Sequence, residues 1–282
     1  MNDEGTLIAF TLFSQMIIGS TLVYVLIYFI SMDEIAQLSS GFSLRTPEFL
    51  LLLGLLAALF ISFLHLGRPS NAIHALNNLK TSWISREIFT LTLFSIGLLM
   101  LFIARWLGAG RSYLTASFIL SAIAALLFLL SMVRLYMIPA VSTWNNWLTP
   151  IHFTLTVLIS GLVLMLVFVM LLHMEFIRLK PIILVLMLLL LFEMVHAGFL
   201  FGHLNSMNFN SSNPFISEGI FKPITIIRMA LIGLAMVCLI LVFMEQKTPS
   251  QSTLLIVSIS LIIIEMVVGR FVFFATFDRI GI

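Results

Sequence analysis

The chain has 282 residues, of which 61% are hydrophobic and 9% charged, whereas a soluble globular domain is roughly half apolar and a quarter charged. That balance excludes an ordinary water-soluble domain and identifies an integral membrane protein. The 14 cationic and 12 acidic side chains leave a net charge of +2; they are spread too thinly for the basic stripe that nucleic acid requires, so lipid is the expected surrounding and nucleic acid is not a partner.

A helix crosses the hydrocarbon core with about 20 consecutive apolar residues. Segments of that kind fall near 6–30, 48–66, 86–106, 113–135, 149–173, 181–202, 225–244 and 252–275. The expected fold is therefore an all-α integral membrane protein, a bundle of eight transmembrane helices forming one membrane domain over residues 1–282. The first span opens as "MNDEGTLIAF". Asp3 and Glu4 stand where a signal peptide carries basic residues, and the apolar run that follows is too long for a signal core, so this span is expected to be retained. Between the second and third spans lies "HLGRPSNAIHALNNLKTSWISREIF", residues 65–89, where Gly67 and Pro69 break one helix and Ser85 is the expected cap of the next. The longest link, "HLNSMNFNSSNPFISEGIFKP", is rich in Asn and Ser and reads as a loop outside the membrane. Cys238, the single cysteine, sits in an apolar run, so this protein alone builds no disulfide framework, iron–sulfur cluster or thiolate zinc site. No internal repeat is visible, which counts against an inverted-repeat transporter.

Orientation follows from the cations of the connections. Arg45, Arg105, Arg111, Arg178, Lys180 and Lys247 fall on one side; Arg68, Lys80, Arg86, Arg134, Lys222, Arg228, Arg270 and Arg279 fall on the side of the N-terminus. Arg86, Arg134, Arg228 and Arg270 lie at or inside helix ends, and Arg68 lies in a tight Gly-Pro turn. Discounting these leaves Lys80, Lys222 and Arg279, and places both termini outside, in the periplasm.

Most ionisable groups within or bordering the spans lie toward that same side. They are His65, Arg68, Arg86, Glu87, Arg134, His152, Glu193, His196, His203, Arg228, Glu265 and Arg270. Such groups are costly in a bilayer and face a bundle interior or wet cavity, where they pair, so one polar pocket near one surface is expected. Taken singly, several have plainer explanations. His65 suits a helix C-terminus, and Glu87 suits the first turn of a helix. Arg134 and Arg228 read as interfacial side chains that snorkel. Glu265 and Arg270, five residues apart, do not share a strict helical face, so each is expected to pair on another helix. Trp83, Trp106, Trp144 and Trp147 fall at span ends, as interfacial aromatic belts do.

Three functional classes compete for such a pocket. A quinol-oxidising anchor needs a proton acceptor, and histidine suits proton removal near neutrality. A b-type cytochrome needs histidines on different helices at matching depth, which His65, His152, His196 and His203 supply for a single haem. A proton-coupled transporter places its polar groups near the midplane, where its helices are interrupted.

The stretch "HLGRPSNAIHALNNLKTSWISREI" resembles the connection between helices 2 and 3 in the membrane-anchor subunit of anaerobic dimethyl sulfoxide reductases, members of the complex iron–sulfur molybdoenzyme family. Other stretches are similar in the same order: "FTLFSQMIIG", "MVRLYMIPAVSTWNNWLTPIHF" and "EMVVGRFVFF". The resemblance covers essentially the whole sequence, and the spacing of His-Leu-Gly-x-Pro from Ser-x-Glu-Ile is its most specific part. It implies a subunit that holds an iron–sulfur electron-transfer subunit and a molybdopterin catalytic subunit on the inner membrane, as a heterotrimer, and oxidises menaquinol for them. It implies that His65 and Glu87 act at the quinol site; Arg68 or Arg86 is expected to keep Glu87 ionised by nearby positive charge, so both are candidate quinol-binding residues. It also implies that the protein binds no haem or metal. Helix 6, with Glu193, His196 and His203, and the loop after it match the family least.

Overall fold

The computed structural model describes residues 2–32, 35, 46–65, 76–172, 174, 177–207, 211–244 and 249–278, apart from the side chains of 2–4, 63–65, 76 and 249–250. Among the described residues the protein is all-helical, without a strand. The helices are α1 (Asn2–Ile30), α2 (Pro47–His65), α3 (Trp83–Trp106), α4 (Arg111–Tyr136), α5 (Leu148–Leu171), α6 (Leu179–Met207), the short α7 (Pro214–Ser217), α8 (Phe221–Met244) and α9 (Pro249–Ala275). Seven of them, α1, α3, α4, α5, α6, α8 and α9, contain a stretch long and apolar enough to cross a membrane. This is thus a multi-pass membrane protein. In α2 the apolar stretch that is described, Pro47–Ser62, is shorter than these seven.

Local chemistry sets where the helices begin and end. Ser82, not Ser85, caps α3: it is extended, at φ −109° and ψ 125°, and its hydroxyl accepts from the Ser85 amide at 3.3 Å. The helix therefore starts before residue 86, and Ser85 is a buried residue of its first turn. Gly108, with φ 59°, ends the same helix by adopting the left-handed conformation that side chains disfavour. The long link after the sixth span is more ordered than its composition suggests. Its first residues, 203–207, continue α6, and Asn213 caps α7 by accepting from Phe215 at 2.9 Å. The Asn213 amide also donates to the carbonyls of Ala275 and Phe277, and Leu204, Ile216 and Phe221 form a buried apolar set that joins α6, α7 and α8.

The protein forms two compact units. The first comprises Met1–Leu135 and Ser160–Ile177. Here helices approach through small residues, the usual means of packing where lipid offers no hydrophobic drive. Gly97 of α3 lies against Ser121 of α4, Gly161 of α5 lies against Gly19 of α1, and Ser20 donates to the Gly161 carbonyl at 3.3 Å. Tyr28 of α1 stacks on Phe118 of α4 at 4.1 Å. A buried polar set ties α1, α2 and α3: the Tyr24 hydroxyl and Arg105 Nε both donate to Glu48 Oε1, at 2.6 and 3.1 Å. The sequence groups Arg105 with ordinary loop charges; its side chain is instead 7% exposed and paired with an acid that is fully buried.

The second unit comprises Tyr136–Ile159 and Arg178–Ile282. The turns before α5 are held by Trp144. Its indole N–H donates to the Phe273 carbonyl at 2.8 Å, and its ring stacks on the Phe273 ring at 5.0 Å. Trp144 is 6% exposed, so it is a core anchor of this unit and not part of an interfacial belt. Tyr136 adds ring contacts to Phe153, Phe273 and Phe274.

Candidate functional site

The densest polar chemistry of the second unit is supplied by α5, α6, α8 and α9, each contributing charged or imidazole side chains among apolar neighbours. Arg228 of α8 is its centre, and is 1% exposed. Its Nε and Nη2 donate to Glu265 Oε1 of α9 at 2.9 and 2.8 Å, and Nη2 also donates to Glu193 Oε1 of α6 at 2.8 Å. The expectation that Arg228 snorkels to the surface is therefore corrected. Two carboxylates around it let a guanidinium stay inside, where hydration is absent. Glu265 does pair on another helix, as its position in the sequence required. Gly269, one turn along α9, admits this arrangement: a Cβ there would stand 2.6 Å from Arg228 Nη2.

Two histidines flank the Glu193 carboxylate. His152 Nδ1 of α5 lies 3.8 Å from Glu193 Oε1, and His196 Nδ1 of α6 lies 3.7 Å from the same oxygen. The two imidazoles are nearly parallel, with centroids 5.3 Å apart and planes inclined by 11°. His196 is oriented by the Leu148 carbonyl, 3.2 Å from its Nε2. His152 packs against Phe273, and neither of its ring nitrogens has a hydrogen bond among the described residues. Arg270 of α9 lies with its guanidinium over the Phe153 ring at 4.3 Å, a cation–π contact.

Of the four residues expected at a quinol site, two lie within the described part of the first unit. Glu87 is buried in the first turns of α3, and its Oε1 makes no hydrogen bond among the described residues. Thr90, one turn on, donates to the Arg86 and Glu87 carbonyls and is hydrogen-bonded to Ser131 of α4 at 2.8 Å, which fixes this part of α3 against α4. Arg86 donates through Nε to the Leu79 carbonyl at 2.8 Å and through Nη2 to the Lys80 carbonyl at 2.6 Å, and lies over the Trp83 ring at 4.1 Å. It thus clamps the turn that precedes α3. The His65 side chain and the whole of Arg68 lie outside the described residues.

Two relationships are invisible to sequence reasoning. Glu48 and Arg105 are distant in sequence and each sits beside a loop, so nothing local marks them as a pair. The sharing of Arg228 between Glu193 and Glu265 likewise needs three helices at once; the only local signal is the spacing of Glu193 and His196 by one helical turn.

A family profile described as DMSO reductase anchor subunit (DmsC) matches residues 1–276. The C subunit of the anaerobic dimethyl sulfoxide reductase of Haemophilus influenzae is 31% identical over 172 residues, 57% of this protein and 57% of that one. In Escherichia coli, the YnfH subunit of an anaerobic dimethyl sulfoxide reductase is 31% identical over 164 residues, covering 57% and 56% of the two proteins. The C subunit from the same organism is 30% identical over 163 residues, covering 56% and 55%. The matched stretch thus spans little more than half the length of these relatives. No solved structure matches the protein.

Proposed function

Because the chain belongs to the DMSO reductase anchor subunit (DmsC) family, we propose that it is the membrane anchor of a dimethyl sulfoxide reductase-like complex and oxidises menaquinol for it. The observation that carries this reading is the family match over residues 1–276, nearly the whole sequence. It is supported by Glu87, a carboxylate buried at the start of a membrane helix with an oxygen that no described group engages. A quinol hydroxyl is the kind of donor such an oxygen takes.

In this reading the quinol ring lies beside the end of α2 and the start of α3. One hydroxyl donates to His65 and the other to Glu87, and both bonds become proton transfers as the ring is oxidised. Menaquinol loses two electrons and two protons and leaves as menaquinone. The protons pass to the periplasmic side, and the electrons pass to an iron–sulfur cluster in a partner subunit and then to a molybdopterin catalytic subunit. In this reading Arg68 or Arg86 supplies positive charge near the carboxylate, and Nε and Nη2 of Arg86 also hold the turn before α3. We take α2 as an eighth crossing of the inner membrane, which brings both termini to the periplasm.

The haem alternative requires two imidazoles directed at one iron from opposite faces of a macrocycle. His152 and His196 are stacked, with both Nδ1 atoms turned to the same Glu193 oxygen. That pair is not disposed to hold a haem between them, which removes one of the pairings that His65, His152, His196 and His203 offered to a haem.

The test is the assembled complex carrying His65→Arg or Glu87→Gln. Turnover with a reduced menaquinone analogue should fall at least tenfold, while turnover with an artificial donor that feeds the partner subunits directly should be retained. Unaltered quinol oxidation in both variants would sink the assignment.

A further inference from the structure

The polar set of the second unit holds more than an ion pair needs. Arg228, Arg270, Glu193 and Glu265 sum to zero charge, and a single guanidinium already serves both acids. His152 and His196 remain, 6% and 4% exposed, with His152 hydrogen-bonded through neither nitrogen among the described residues. Buried polar atoms are ordinarily satisfied, so a set that is not calls for a ligand or a proton.

Hydrogen-bonding roles decide which. A carbonyl oxygen only accepts, so His196 Nε2, 3.2 Å from the Leu148 carbonyl, carries a hydrogen. In the neutral ring Nδ1 is then an acceptor, and it faces Glu193 Oε1, another acceptor, at 3.7 Å. His152 Nδ1 faces the same oxygen at 3.8 Å. One added proton turns either Nδ1 into a donor aimed at the carboxylate. The near-equal distances put either Nδ1 within reach of the same oxygen, although only His196 has its other nitrogen hydrogen-bonded among the described residues.

The surrounding charges limit the site to one proton. From α8, Arg228 Nη2 lies 2.8 Å from the same Oε1; from α9 come Glu265, held by Arg228, and Arg270, over Phe153. Tyr136, the last residue of α4, adds its phenol, and its ring packs on Phe153 and Phe273. A second proton would put two imidazolium rings 5.3 Å apart beside two arginines. A divalent cation meets the same objection. The two histidines and Glu193 lie close enough to ligate one, yet it would bring twice the charge to an oxygen already engaged by Arg228.

We propose that His152, Glu193 and His196 form a proton-binding site in the second unit, holding one proton shared between the two imidazoles across the Glu193 carboxylate. An N–H bond forms at one Nδ1 as the proton arrives and breaks as it leaves, with no other bond changed. Buried ionisable side chains of this kind are what intramembrane proton relays are made of. The site involves none of the residues assigned to quinol and does not rest on that reading.

The test is proton uptake by the full-length protein in liposomes, titrated from about pH 8 to pH 5, the range in which histidine changes charge. The double variant His152→Gln, His196→Gln should bind one proton fewer than the parent. Two fewer would mean independent histidines and none fewer would mean that neither titrates; each overturns the proposal. Histidine ¹⁵N spectra of the parent, assigned with the single variants, give a readout that survives misfolding of the double variant. The side-chain signals of both residues should move with one midpoint, and separate midpoints overturn the shared proton. Stoichiometric Zn²⁺ binding that the double variant loses would make this a metal site instead.

Discussion

Gly269 and Arg228 are fitted to each other: the guanidinium lies where a side chain on Gly269 would begin, with Nη2 2.6 Å from that point. At Gly269 helix α9 therefore presents backbone to the cation that Glu193 and Glu265 share, while Glu265, one turn earlier on the same helix, presents its carboxylate. Gly269→Ala should displace Arg228 and destabilise the protein by about 1–3 kcal/mol, the usual cost of overpacking. Thermal unfolding of the full-length protein in detergent reads this, and an unchanged midpoint would show that the guanidinium has room to move.

Arg228 and Glu265 should behave as a coupled pair. Arg228→Met leaves two buried carboxylates without the cation they share and should cost about 3–5 kcal/mol, as when one partner of a buried pair is removed. Adding Glu265→Gln should recover part of that loss, because one of the two stranded charges goes with it. A double-mutant cycle in the same unfolding assay measures the recovery; strict additivity would mean that the contact contributes nothing as a pair.

Ser82→Ala should weaken the start of α3 by about 1 kcal/mol, since the amide of Ser85 loses the hydroxyl that accepts its hydrogen bond. Hydrogen exchange at Ser85 should quicken while the middle of the helix is unaffected. Ser85→Ala should leave the cap intact, which separates the two serines.

The burial of Arg105 with Glu48 bears on orientation. A charge held inside the protein has no free topogenic role, so Arg105→Gln should lower stability without inverting the topology. Removing Arg105 from the count still leaves Arg45, Arg111, Arg178, Lys180 and Lys247 against Lys80, Lys222 and Arg279, and the periplasmic placement of both termini stands as the expectation. A reporter active only in the periplasm, fused after Ile282, should be active in the parent and in Arg105→Gln alike. Activity of a cytoplasmic reporter there would reverse the orientation.

Much of the helical plan was legible because membrane insertion is written in local composition. Runs of about 20 apolar residues suffice for a crossing, and the ends of α1, α4 and α5 fall close to where those runs end. Helix starts were less legible. The difference between Ser82 and Ser85 as the cap of α3 depends on which hydroxyl reaches a free amide, and both residues satisfy the pattern. The polar link after α6 looked like loop because Asn and Ser favour turns, yet Asn213 uses its amide to bind the end of α9, a contact 62 residues away in sequence.

By itself, the amino-acid sequence determined that this is an all-helical multi-pass membrane protein and where its seven long apolar helices lie, because each of these is a property of a short segment meeting lipid. Through its motifs it also determined the family resemblance, with His65 and Glu87 singled out. What only the tertiary structure decided is which charges meet. Arg228 reads as a surface cation until α6, α8 and α9 bring Glu193 and Glu265 to it, and Arg105 reads as a loop charge until α2 and α3 bring Glu48 to it. Pairing across helices depends on distances that no single segment contains, and at low dielectric those distances determine whether a buried charge is tolerated.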